Sequence, residues 1–229
     1  MSRVGLFLAA LAALPALVAA PATAACRVAL TMALDVSSSV DAGEYALQIN
    51  GLADALEDAE VRRAIFQVPG ATVALQIYEW SGVFDQKIVQ DWVEVRTPSD
   101  LDQMAARLRE HRRAFTNAAT GLGAALRFGL GQMARAPACE RQKIDVSGDG
   151  QNNTGMPPQQ LYTRLDFADV TVNGLAILSD EAALDRYYRF FVVRGPSAFV
   201  EVAEDFSDYG KAIRGKLIRE LGEPRLGMR

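Results

Sequence analysis

RVALTMALDVSSS, residues 27–39, decides how this chain is read. Residues 27–34 form a near-continuous apolar run. That pattern fits a strand buried on both faces, not the strict alternation of a strand with one wet face. The run stops at Asp35, and hydroxyls follow at Ser37, Ser38 and Ser39. A strand covered on both sides needs helices on both sides, and the rest of the chain supplies them.

Downstream, residues 41–65 have helical spacing, with Tyr45, Ile49, Leu52, Leu56 and Ala59 on one face. Asp41 and Glu44 have the spacing of a capping box. Pro69-Gly70 breaks the chain. Residues 71–80 are rich in strand formers. Residues 87–95 form a second, more polar strand after a short Ser81-Gly82 link, which places them at an antiparallel edge. Helices are expected at 99–110 and 118–134, and a short strand at 143–147. A helix at 157–165, a strand at 170–177, a helix at 181–191 and a strand at 199–203 follow. Ser207 caps a closing helix to residue 221. This alternation predicts an α/β fold: a three-layer, doubly wound, mostly parallel sheet with helices on both faces. No repeat or linker-like stretch divides residues 26–229, so they are read as one domain.

Upstream, residues 1–25 have a basic start at Arg3, an apolar run over 4–20 interrupted by Pro15, and small residues at Ala22-Thr23-Ala24. This is the pattern of a cleaved secretory signal peptide, which places the mature protein in the periplasm or outside the cell. The apolar run is short for a membrane span of about 20 residues. A lipid anchor at Cys26 is the alternative, although Thr23 stands where a lipidation signal has leucine. No later apolar run reaches spanning length.

Composition removes several function classes. The chain has 24 basic and 28 acidic residues, a formal net charge of −4, which gives no support to nucleic-acid binding. One histidine and two cysteines cannot build a zinc site with several nitrogen or sulfur ligands. A serine–histidine–carboxylate arrangement would need His111, whose charged neighbours in RLREHRRAF read as a solvated helix end.

In open α/β sheets, ligands bind outside the carboxyl ends of the strands. Two such ends carry unusual chemistry: Asp35-Val36-Ser37-Ser38-Ser39 and Ser147-Gly148-Asp149-Gly150. A hydroxyl-rich helix start, Thr116-Asn117-Ala118-Ala119-Thr120-Gly121, lies between them in sequence. Alternation lets Asp35, Ser37 and Ser39 converge on one point. Two carboxylates with several hydroxyls are hard ligands, suited to Mg²⁺ or Mn²⁺. Such a set leaves the ion short of negative charge and open to one more anionic oxygen.

In this order, the motifs resemble the von Willebrand factor A domains. Asp35-Val36-Ser37-Ser38-Ser39 is similar to the D-x-S-x-S motif of that family's metal-ion-dependent adhesion site. Thr120-Gly121-Leu122-Gly123-Ala124-Ala125-Leu126 resembles its threonine-bearing helix start, and Asp149-Gly150 the aspartate–glycine pair after its fourth strand. The stretch IDVSGDGQNN is closer to a bacterial group of secreted proteins of this type with unknown function. The resemblance implies a six-stranded sheet ordered 3-2-1-4-5-6 with strand 3 antiparallel. It also implies a metal set of Asp35, Ser37, Ser39, Thr120 and Asp149. Thr116 remains an alternative to Thr120, because Thr116-Asn117 also matches the motif. Gly121 and Gly148 depart from the family pattern, the latter standing where threonine or serine is common.

With that strand order, strands 1 and 4 are parallel neighbours. Cys26, nine residues before Asp35, and Cys139, ten before Asp149, then meet at the end opposite the metal motif. A Cys26–Cys139 disulfide is expected, in keeping with an oxidising compartment. The resemblance implies a secreted, non-enzymatic, metal-dependent module that engages an acidic group on a partner protein. Two alternatives stay open. One is a Mg²⁺-dependent phosphoryl hydrolase using Asp35, although Ser37 stands where such enzymes have a second acid and no phosphate-cradling loop accompanies it. The other is a structural domain with a vestigial metal site.

Overall fold

The computed structural model describes residues 25–116 and 118–222. The expected leader at 1–24 and the chain end at 223–229 lie outside them. Six strands are present: β1 (Ala25–Asp35), β2 (Ala71–Trp80), β3 (Gln86–Val95), β4 (Gln142–Gly148), β5 (Val170–Ile177) and β6 (Val200–Ala203). The helices are α1 (Ala42–Glu57), α2 (Ala59–Phe66), α3 (Pro98–Glu110), α4 (Leu122–Met133), α5 (Pro158–Leu161), α6 (Leu184–Tyr187) and α7 (Tyr209–Leu221). A π-helical turn, Tyr188–Val192, continues α6. The sheet order is β3-β2-β1-β4-β5-β6, as expected. β3 runs antiparallel to β2 and every other pairing is parallel.

β1 is the axis of the molecule. Apart from Ala25, all of its residues are buried. Its two faces carry different loads. Val28, Leu30, Met32 and Leu34 pack into one core with residues of α1, α3 and α7. Ala29 and Ala33 face a second core containing Tyr78, Trp80, Leu122 and Leu126. Large side chains on one face and alanines on the other leave room for the bulky aromatics of β2. Between the alanines, the Thr31 hydroxyl donates to Gln76 Oε1 at 2.9 Å, which satisfies two buried polar groups.

Several expected elements are shorter than their patterns. The helix expected over 41–65 is two helices. Asp58 ends the first, and its Oδ1 accepts from the backbone N–H groups of Glu60 and Val61 to start the second. An aspartate side chain competing for backbone donors outweighs the unbroken apolar spacing. The Asp41–Glu44 capping box forms as expected. The helix expected from 118 begins at Leu122, because backbone atoms at 118–121 bond to neighbouring loops instead. The 157–165 helix is the short α5, and the last helix starts after Asp208, not Ser207. Tyr187, Tyr188, Phe190 and Phe191, an aromatic cluster that the sequence alone suggests is core, divide: Tyr188 is fully buried, whereas Phe190 is 78% exposed. Asp145, inside β4, pairs with Lys216 of α7 at 3.0 Å.

At the amino end of β1, Cys26 and Cys139 form a disulfide with their Cα atoms 4.5 Å apart. The two residues also form an isolated parallel bridge. The pairing uses the sulfur that a lipid at Cys26 would need.

Candidate metal centre

The carboxyl ends of β1 and β4 bring the predicted oxygens together. Asp35, the last residue of β1, is fully buried. Its Oδ1 accepts the Ser37 backbone N–H at 2.7 Å, which turns the chain back over the strand end. Ser37 Oγ and Ser39 Oγ lie 3.1 Å apart. Ser39 Oγ donates to Asp149 Oδ1 at 2.9 Å, and Thr120 Oγ1 donates to Ser37 Oγ at 3.4 Å. All five residues of the expected set therefore lie in one connected cluster. Thr116 is exposed, whereas Thr120 is buried.

The cluster has unspent capacity for a cation. Asp35 Oδ2 and Asp149 Oδ2 are buried with no hydrogen-bond partner among the described residues. Burial, with the Asp149 charge adding to it, pushes the Asp35 carboxyl up to about 8 despite the Ser37 hydrogen bonds and Arg113. Burial also raises Asp149. A divalent ion at these oxygens would offset the cost of two neighbouring buried carboxylates. Among the described residues there is no group of three or more His, Cys, Asp or Glu that could hold a metal. This cluster differs because hydroxyls supply three of its five side chains.

Gly148 explains one departure from the resembled family. A Cβ there would lie 2.7 Å from Asp35 Oδ2 and 2.8 Å from the Tyr188 hydroxyl. The Tyr188 hydroxyl is also buried without a partner among the described residues. Glycine at 148 makes room for a phenol, delivered by the π-helical turn, beside the aspartate.

Residues outside the motif hold the loops. Arg113 donates to the carbonyls of Val36 (2.9 Å), Ser37 (2.8 Å), Val40 (2.6 Å) and Phe115 (2.6 Å). A planar guanidinium can serve several carbonyls at once, which an ammonium does with far poorer geometry. Gln48 Nε2 donates to the Asp35 carbonyl at 2.9 Å. Buried Glu79 accepts from the Tyr45 hydroxyl at 2.6 Å and from the Ala114 N–H at 2.9 Å. His111 is the helix end expected, the C-cap of α3, but it is not solvated: its side chain is 15% exposed, and Nε2 lies 3.2 Å from Glu79 Oε1. The charged neighbours in sequence give no sign of this contact.

From the sequence, Asn152 and Asn153 read most plainly as side-chain caps for the helix that follows, but their side chains turn back to α4. Asn153 Oδ1 accepts the Thr120 N–H at 2.8 Å, and Asn152 Oδ1 accepts the Gly123 N–H at 3.0 Å. They fix the start of α4 instead. Arg113→Met is expected to lower stability by about 2 kcal/mol by stranding carbonyls that face little water, with Arg113→Lys recovering less than half. Urea denaturation monitored by circular dichroism measures both.

The sheet order, with β3 antiparallel and helices on both faces, is that of a von Willebrand factor A-like α/β fold. Solved structures with this fold include proximal thread matrix protein 1 from the mussel byssus in a form with a zinc-occupied MIDAS motif. It is 15% identical, with a TM-score of 0.57, covering 86% of this chain and 46% of that one. The von Willebrand factor type A protein from Catenulispora acidiphila is 16% identical, with a TM-score of 0.56, covering 87% and 44%. The pilus adhesin SpaC from Lactobacillus rhamnosus GG is 12% identical, with a TM-score of 0.60, covering 86% and 30%. This chain thus spans less than half the length of each. No curated protein matches it. The chain belongs to the family described as "Protein of unknown function (DUF1194)", whose model matches residues 25–225.

Proposed function

We propose that this protein is an exported, metal-dependent protein-binding module. Asp35, Ser37, Ser39, Thr120 and Asp149 would hold Mg²⁺ or Mn²⁺, and the ion would take a carboxylate from a partner protein. The observation that carries this reading is the pair of buried, unpartnered carboxylate oxygens, Asp35 Oδ2 and Asp149 Oδ2, beside three linked hydroxyls. Oxygen ligands of this kind suit hard cations. The ion would act as a bridge, and the chain's own residues would orient it and keep one side open. The adhesion and matrix proteins among the similar folds support protein binding as the role. The leader sequence supports a periplasmic or extracellular setting. No helix among the described residues is long and apolar enough to cross a membrane.

Titration calorimetry with Mg²⁺, Mn²⁺ and Zn²⁺ tests the metal. Saturable binding is expected in the wild type, and at least a tenfold loss in Asp35→Ala and Ser37→Ala with the circular dichroism spectrum retained. Binding unchanged in both variants would falsify the assignment. Phosphatase activity lost in Asp35→Asn would favour the hydrolase alternative.

A pH dependence follows. Asp35 is raised in the fold, so the metal-free native state keeps a proton that the unfolded chain releases near its ordinary value of 3.8. Its contribution to stability is fully present below that value and is lost as pH rises through about 8. The melting temperature of the metal-free protein is expected to fall by about 5 °C or more between pH 5 and 8. Asp145, raised to about 7, acts with the same sign, so Asp35→Asn isolates the site's share. Scanning calorimetry in EDTA should show a flatter curve for that variant, and saturating Mg²⁺ should flatten the wild-type curve.

A further inference from the structure

A cavity of about 320 Å³ opens beside the oxygen cluster, walled by Val83, Met156, Leu161 and Leu165. Its floor is Gly123 and Ala124, on the first turn of α4. Gly123 is three residues beyond Thr120, a reach of at most about 10 Å. α5, a single turn that packs against α4, supplies Leu161 to the opposite wall.

The rim is cationic. Arg127 lies on the same helical face as Gly123 and Ala124, four and three residues on respectively. Arg164 stands opposite, three residues after Leu161. Both are exposed, and neither guanidinium is engaged by a carboxylate among the described residues. No acidic residue lines the cavity, although the chain as a whole carries a net charge of −4. Phe84, next to Val83, is 89% exposed, and Leu165 is 37% exposed. Exposed apolar side chains around a cavity with two unpaired arginines mark a surface built for contact.

We propose that this groove docks an acidic segment of a protein partner. One apolar side chain of the segment fills the cavity, and carboxylates on either side pair with Arg127 and Arg164. Charge complementarity selects this occupant: a basic or neutral apolar segment would leave both guanidinia unmatched. The inference rests on the metal-site reading only in assigning groove and metal to the same partner. The groove contact itself needs no metal.

The test is an NMR titration of the ¹⁵N-labelled protein in EDTA. The probe is a blocked hexapeptide of two glutamates, two leucines and two glutamates. Saturable shifts are expected at the amides of Gly123, Ala124 and Arg164. Affinity should drop at least tenfold in Arg127→Glu/Arg164→Glu, and equally when glycines replace the leucines or lysines replace the glutamates. Equal binding of the lysine peptide, no shifts at these amides, or indifference to the double variant overturns the proposal. So do shifts at these amides that depend on protein concentration alone, since a second copy would then occupy the groove. A parallel Mg²⁺ titration, read at the Ser37, Ser39 and Asp149 amides, separates the two readings. Silence there with peptide binding intact removes the metal site alone, and the converse removes the groove alone.

Discussion

Lys216→Met should lower the unfolding free energy by about 3–5 kcal/mol, the cost of breaking a buried ion pair from one side. Lys216 is fully buried, with its ammonium 3.0 Å from Asp145 Oδ1 and 2.7 Å from Glu220 Oε1. Asn173 Nδ2 also donates to that glutamate oxygen at 2.6 Å. Methionine fills much of the same volume, so the loss measured would be electrostatic and not a cavity. It would leave two carboxyl groups facing each other away from water. Burial, with Glu220 reinforcing it, already holds Asp145 up at about 7 even with Lys216 opposing. Adding Asp145→Asn to Lys216→Met should recover a sizeable part of the loss, because one of the stranded charges is then gone. Urea denaturation of the single and double variants decides the matter. A loss under about 1 kcal/mol, in the range of exposed pairs, would mean that water reaches the cluster.

Cys26→Ser/Cys139→Ser carries the second large effect. The bond joins residues 113 apart, and a loop of that length is worth about 4–5 kcal/mol through restriction of the unfolded chain. The effect should fall on stability alone. Cys26 is nine residues before Asp35 along a continuous strand, a separation of about 30 Å. Metal affinity of the double variant, measured by calorimetry well below its melting temperature, should match the wild type within twofold. A denaturation midpoint that does not move on reduction would rule out the stabilising role.

The sheet was legible because its signals are local. The apolar run at 27–34, the polar strand at 87–95 and the turns between them each declare themselves within a few residues. Strand order and the Cys26–Cys139 pairing followed from the family resemblance, and the structure bears out both. The grouping of Asp35, Ser37, Ser39, Thr120 and Asp149 also followed from the resemblance, which rests on contiguous motifs, and the structure brings the five residues together. What stayed hidden depends on contacts between distant segments. Arg113 reads as one arginine in a charged stretch, yet it reaches carbonyls more than 70 residues earlier. His111 was misread because burial by Glu79, 32 positions away, leaves no trace in its neighbours. Residues 118–121 look helical, but Ala118 O receives the Ser38 N–H and Gly121 N–H goes to Ser81 O. Phe190 and Phe191 looked like core because aromatic residues usually are, and α6 widening into a π turn places them outside.

The position of β1 has a mechanical consequence. It is paired in parallel on both sides, with β2 from Ala25 to Asp35, interrupted by one register shift between Cys26 and Val28, and with β4 from Ala29 to Leu34. Under the proposed function, tension applied between Cys26 and a partner held at Asp35 would run lengthwise along the strand. It would load these ladders in shear, many hydrogen bonds at once, rather than peel them apart in turn. The Cys26–Cys139 bond passes part of that load directly to the approach to β4. The helices would lie outside the line of force.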